Sequence, residues 1–131
     1  MKRNMDVIRA ILLRFETVDR PRVSRRDLTL DGYTTEQVDL HLDLMKEAGL
    51  IDHQIVRPNS GSGYSSVGID MGLRPTMLGY DFLDSIRDPE IWRRTKEGAD
   101  KAGGATIEFV WELAKSYGKQ VIKERLGIDL A

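Results

Sequence analysis

The chain has no cysteine, so disulfides and thiolate metal sites are excluded. Two histidines, His41 and His53, are too few for most histidine-based metal or catalytic sets. No long apolar run is present. The stretch VIRAILLRF is broken by Arg9 and Arg14, which argues against a signal peptide or a membrane span. A cytoplasmic protein is the default expectation. Charge of one sign is also lacking overall, with twenty Lys/Arg against twenty-one Asp/Glu. That balance hides a segregation. Residues 1–33 carry eight basic and five acidic side chains, 34–89 four and nine, and 90–131 eight and seven.

What remains is a soluble-type composition, 40% hydrophobic and 31% charged over 131 residues, enough for one domain with a core. Asn4 precedes an apolar stripe at Met5, Ile8, Leu12 and Phe15, the spacing of a helix face that ends before Pro21. The Arg-rich DRPRVSRRD follows. Leu28–Leu30 then reads as a brief strand before Asp31-Gly32. Thr34 and Gln37 form a capping box, with Tyr33 and Val38 as its hydrophobic staple. The helix they open has an inner stripe of Val38, His41, Leu42 and Met45, and Gly49 supplies its left-handed stop. LIDHQIV and SVGIDMGL are strands joined by a loop too long for a tight turn. Pro75-Thr76 opens a third helix with Leu78, Phe82 and Ile86 on one face. Asp88-Pro89 starts a fourth, which runs to Gly103-Gly104. The last helix spans about Thr106 to Leu126, with a seam of Ile107, Trp111, Ala114, Gly118 and Val121. Ile8, Leu12, Phe15, Val38, Leu42, Met45, Ile51, Leu78, Phe82 and Ile86 are the expected core.

This order predicts an α+β, mainly helical, winged-helix-like domain. A two- to three-stranded antiparallel wing and a C-terminal helical extension complete it, with the core at residues 1–88 and the extension at 89–131. The segments MKRNMDVIRAILL, GYTTEQVDLHLDLMKEAGLI, GYDFLDSIRDPEIWRRTKEGADKAGG and ELAKSYGKQVIKERLG also resemble a bacterial and prophage domain-of-unknown-function family with a predicted winged-helix core. The block FLDSIRDPEIWRRTK is the most specific part. The resemblance implies that fold and phage-related gene neighbourhoods; it brings no catalytic residues.

Catalytic signals are weak, and no enzymatic activity, cofactor or metal is expected. His41 lies on an inner stripe and reads as a packed histidine, while His53 alternates outward on a strand. NSGSGYSS lacks the Gly-Lys-Ser/Thr and the following helix of a phosphate cradle, and suits a wing tip. Asp81, Asp84 and Asp88 read as a solvated helix face, and Trp92 and Trp111 as helix-pair contacts.

Two binding readings stand. In the first, a phage- or prophage-type regulatory protein contacts double-stranded DNA through Arg20, Arg22, Arg25, Arg26, Arg57 and Arg74, which would neutralise phosphates. Ser60, Ser62 and Tyr64 would add wing contacts to the backbone. Against it, the helix that should enter a groove carries Glu36, Asp39, Asp43 and Glu47 beside Lys46 alone. In the second, an adaptor binds a host or phage protein through that acidic helix. The seam from Ile107 to Val121 must also be covered, either within the chain or by a second copy, and a homodimer is expected.

Overall fold

The structure is a computed structural model. It describes residues 1–60, 63–64, 67–104 and 106–127, and only the backbone of 59, 60, 63 and 64. The architecture is α+β and mainly helical. The chain forms two compact units, Met1–Tyr80 and Asp81–Ala131. The boundary thus falls inside the third helix rather than after Asp88.

In the first unit, helix α1 (Met5–Thr17) is capped by the Asn4 side chain, which accepts from the Asp6 amide. Its buried residues Val7, Ile8, Ile11, Leu12 and Phe15 form one stripe. The expected strand at Leu28–Leu30 is absent. A 3-10 turn closes there instead, over Arg25–Leu28, with Ser24 Oγ donating to Asp27 Oδ2 at 3.1 Å. This turn draws Leu28 fully into the core. The extended residue lies five positions earlier. Val23 exchanges two backbone hydrogen bonds with Leu73, both 2.8 Å.

Helix α2 (Thr35–Glu47) begins with the capping box: Thr34 Oγ1 accepts from the Gln37 amide, and Gln37 Oε1 from the Thr34 amide. It ends in a Schellman motif. Gly49, at φ 78°, and Leu50 donate back to Lys46 and Met45. Strands β1 (Ile51–Val56) and β4 (Ile69–Pro75) pair antiparallel, Ile51 opposite Pro75 and Val56 opposite Ile69. A bulge between Gln54 and Ile55 lets the register slip at Met71 and Gly72. Gly72 is required twice there: its φ is +91°, and a Cβ would meet the Val23 carbonyl oxygen at 2.8 Å. Between the long strands, β2 (Asn59–Ser60) and β3 (Gly63–Tyr64) pair as a short ribbon.

Helix α3 (Met77–Ile86) starts at Thr76, whose hydroxyl accepts from the Gly79 amide. Its buried face is Gly79, Phe82, Leu83 and Ile86, so Phe82 and Ile86 face inward as expected but Gly79 takes the place of Leu78. Leu78 is 44% exposed. The cause is steric. Gly79 lies directly on the Leu50 carbonyl, so this part of α3 faces the α2–β1 turn through its one residue without a side chain. The other nine expected core residues are buried.

In the second unit, Asp88 caps helix α4 (Pro89–Lys101), accepting from the Glu90 and Ile91 amides. Thr106 caps helix α5 (Ile107–Leu126). The two run antiparallel: Asp88, at the start of α4, pairs with Arg125, at the end of α5. Arg94 bridges Glu90 and Glu124 in the same region.

Candidate interaction surface of the first unit

The arginines singled out above are mostly engaged with carboxylates. Arg20 pairs with Asp27 at 2.8 Å. Arg22 reaches Asp52 at 2.9 Å and donates to the Gly72 carbonyl, and Arg74 approaches the same Asp52 at 3.6 Å. Arg25 is the centre of the surface. It leaves the 3-10 turn and holds Asp39 at 3.2 Å and Asp43 at 2.6 Å on α2. The two charge patches that the sequence sets apart, the Arg-rich loop and the acidic helix, therefore meet and neutralise each other in part. Only Arg26 and Arg57 of the six have no ion pair among the described residues, and both are exposed.

The titration directions follow this pairing. Burial pulls the Arg25 guanidinium down, but hydrogen bonds and charge from Asp43 and Asp39 outweigh it and raise its pKa. Hydrogen bonding from Arg22 lowers Asp52, and from Arg20 and Ser24 lowers Asp27. Asp70, on β4, is lowered first by His53, whose Nε2 lies 2.8 Å from Oδ1, and then by the Gly72 amide. That carboxylate thus anchors the bulge. The Arg25 charge adds the smallest contribution to the lowering.

The outer stripe of α2 remains acidic. Glu36, Asp43 and Glu47 are exposed, with Lys46 the only base on the helix. Beyond Asp70, the β1–β4 hairpin carries exposed aliphatic residues on both of its faces, with Arg57 beside Ile55. Ile55 lies opposite Asp70, and Val56 opposite Ile69, in the register of the pair. Ile69 is 54% and Val67 72% exposed, and Ile55, Val56 and Met71 are also exposed. Charge counting does not find these residues. The apolar alternation of Val67, Ile69 and Met71 signals a strand but not its exposure. Ser62 lies outside the described residues, as do the side chains of Ser60 and Tyr64.

The histidines are structural in geometry. His41 is buried. Its Nε2 must accept, because its partner is the Asn4 amide at 2.8 Å, so the proton is on Nδ1, which donates to the Gln37 carbonyl at 2.6 Å. The imidazole thereby ties the start of α1 to α2. Among the described residues no group of three or more His, Asp or Glu is placed to hold a metal ion. Asp84 pairs with Arg87, and Asp88 with Arg125. No helix among the described residues is long and apolar enough to cross a membrane.

The α5 seam is covered in part inside the second unit. Ala114 and Val121 are buried. Gly118 lies against Ile91, and Trp111 meets Phe82 edge to face at 5.3 Å and donates to Ser85 Oγ at 3.0 Å. Ile107 is half-buried. Trp111 and Gly118, like Ile107, are only half-buried, so the cover supplied by the chain itself is partial.

Comparison with known proteins places these features in a family. Residues 2–105 match the family described as Hypothetical protein (DUF2513), and the chain belongs to it. The match stops just short of α5. An uncharacterized protein of Haemophilus influenzae is 35% identical over 126 residues, covering 93% of this chain and 99% of the relative. No solved structure matches the chain.

Proposed function

We propose that this DUF2513 member is a non-enzymatic, cytoplasmic regulatory protein of phage or prophage type. Its first unit is read as a winged-helix-like module that works through contact with another protein. The order of α1, the Val23 bridge, the 3-10 turn, α2 and the β1–β4 hairpin supports the winged-helix reading. The observation that carries the protein-contact reading is Arg25. The arginine nearest the would-be recognition helix is held by two carboxylates of that helix, and Glu36 and Glu47 extend the acidity along it. A helix of this charge is repelled by the phosphates that line a groove. A protein surface with basic side chains is attracted instead.

A second reading keeps double-stranded DNA as the partner. Arg26 and Arg57 favour it, since both are exposed and without an ion pair among the described residues. Fluorescence anisotropy with a labelled duplex at two salt concentrations separates the readings. The protein-contact reading expects no salt-sensitive binding to tens of micromolar protein. It also expects Asp39→Asn/Asp43→Asn, which releases Arg25, to gain weak binding that salt removes. Tight binding by the unmodified chain, falling by about 0.9 in log–log slope per neutralised phosphate and lost in Arg26→Glu/Arg57→Glu, would replace protein contact by DNA contact.

A further inference from the structure

We propose that two copies of this chain associate through their second units, with α5 antiparallel to α5 of the second copy about a two-fold axis between Lys115 and Ser116. The surface is an open groove beside α5, about 500 Å³ in volume. Ile91 of α4 and Ala114, Gly118 and Ile122 of α5 supply its apolar part, and Ser85 of α3 also lines it. Glu112, Lys115 and Lys119 bring charge to it. Trp111 is outside this lining. Its indole packs on Phe82 and donates to Ser85, and Lys115 Nζ stands 5.1 Å from its ring centre. The association is independent of any partner of the first unit.

Gly118 points to an approaching helix. After proline, glycine is the least favourable residue for a helix interior, so each one asks for a reason. Helices α3, α4 and α5 each carry one. At Gly79 an added Cβ would lie 2.1 Å from the Leu50 carbonyl oxygen, and at Gly98 2.8 Å from the Tyr117 hydroxyl. At Gly118 it would meet only Ile91 Cδ1, at 3.8 Å, an ordinary contact. Nothing among the described residues therefore requires Gly118 to lack a side chain. A helix laid in the groove does.

The order of charge along α5 selects an identical, antiparallel helix. Glu108, Glu112, Lys115, Lys119 and Lys123 follow at spacings of three and four, so they share one side of α5, and all are exposed. Acids lead and bases follow. A copy running the same way would set acid on acid and base on base. A copy running the opposite way about the proposed axis sets Glu112 against the second copy's Lys119, and Glu108 against its Lys123. Each contact then occurs twice, as a two-fold interface demands. The helix dipole does not explain this order, because its effect is confined to the terminal turns. Glu112, Lys115 and Lys119 lie deeper within Ile107–Leu126. Lys115, nearest the axis, is drawn to Glu112 at 3.4 Å and to the Trp111 ring rather than onto its own copy. Exposed ion pairs contribute little by themselves. They set direction and register, while burial of Ile91 and Ile122 holds the pair together.

Sedimentation equilibrium of the full chain and its charge variants is the test. The unmodified chain should be a dimer at tens of micromolar. Glu112→Lys alone and Lys119→Glu alone each set like charges across the axis and should weaken association roughly tenfold or more. Mixed in equal amounts, the two variants should recover it, because each pair formed between them is again of opposite charge. Glu112→Lys/Lys119→Glu in one chain should recover it too. Both positions are exposed, so these variants should fold as the unmodified chain does, which circular dichroism checks. Gly118→Leu fills the groove and should leave a monomer; if it fails to fold, the charge series decides alone. A monomeric unmodified chain, single variants that associate as well as it does, or a mixture that associates no better than its components would overturn the proposal.

Discussion

Replacing Gly79 by alanine tests how α3 is seated, because two physical effects of opposite sign compete there. On helix propensity alone, alanine should stabilise a helical position by up to about 1 kcal/mol over glycine. The packing predicts the reverse. A Cβ at residue 79 would lie 2.1 Å from the Leu50 carbonyl oxygen and 3.1 Å from its carbon. Restoring an ordinary separation of about 3.5 Å requires α3 to withdraw by more than about 1 Å. The obstacle is backbone, so no side chain can swing aside. Withdrawal also strains the two bonds that fasten this end of α3: the Thr76 amide to the Leu50 carbonyl at 3.0 Å, and Thr76 Oγ1 to the Gly49 carbonyl at 2.5 Å. Overpacking costs roughly 1–3 kcal/mol, and each weakened hydrogen bond up to about 1 kcal/mol. Net destabilisation of about 1–3 kcal/mol is expected after the propensity gain. Gly98→Ala is the control. Its Cβ would meet the hydroxyl end of Tyr117 at 2.8 Å, a group that can rotate away, so neutral or slightly higher stability is expected. Urea unfolding followed by circular dichroism gives both values. A Gly79→Ala protein as stable as the unmodified one would refute the contact between α3 and the α2–β1 turn.

His41→Leu removes the acceptor of the Asn4 amide and should cost about 1–3 kcal/mol; a loss below about 0.5 kcal/mol in urea unfolding would mean that solvent satisfies the amide instead. Trp111→Ala should destabilise the second unit by about 2–4 kcal/mol without changing the sedimentation coefficient, since Trp111 packs on Phe82 and Ser85 of its own chain; a dimer that becomes a monomer would restore the seam as an interface. Asp88 is held at about 2, chiefly by Arg125 and then by the Ile91 amide. A depressed carboxylate contributes stability that is present above its ordinary value near 4 and lost as pH falls from there through about 2. Stability of the second unit, read by tryptophan fluorescence at Trp92 and Trp111, should therefore decline below pH 4. The decline should be shallower in Asp88→Ser, which keeps a cap but not the charge; identical acid profiles would show that Asp88 does not drive it.

What the sequence revealed was local. The capping box at Thr34 and Gln37, the Gly49 stop, and the Asp88-Pro89 and Thr106 starts all rest on bonds within a few residues, and each appears as read. What it concealed depended on distant partners. Ser24 and Asp27 close a turn just before Leu28–Leu30, and the β-pairing falls to Val23 because Leu73 is there to receive it. At the start of α3, Gly79 rather than Leu78 faces inward because Leu50 stands against it. Arg25 looked available because its carboxylates lie 14 and 18 residues along the chain, and Arg22 because Asp52 is 30 away. The α5 seam looked uncovered for the same reason: its cover comes from α3 and α4, and no spacing within α5 discloses it.

That difference between counted and located charge decides how the surface can act. A guanidinium held by two carboxylates binds a phosphate only by surrendering them. Each exposed pair contributes roughly 0.2–1 kcal/mol, so the exchange is not forbidden by the cost of breaking it. What opposes it is the product. Asp39 and Asp43 would be left without their counter-ion and brought close to a polyanion, with Glu36 and Glu47 on the same helix. A lysine or arginine arriving from another protein meets the opposite situation. It adds a second cation to a cluster in which two carboxylates share one, and breaks nothing to do so.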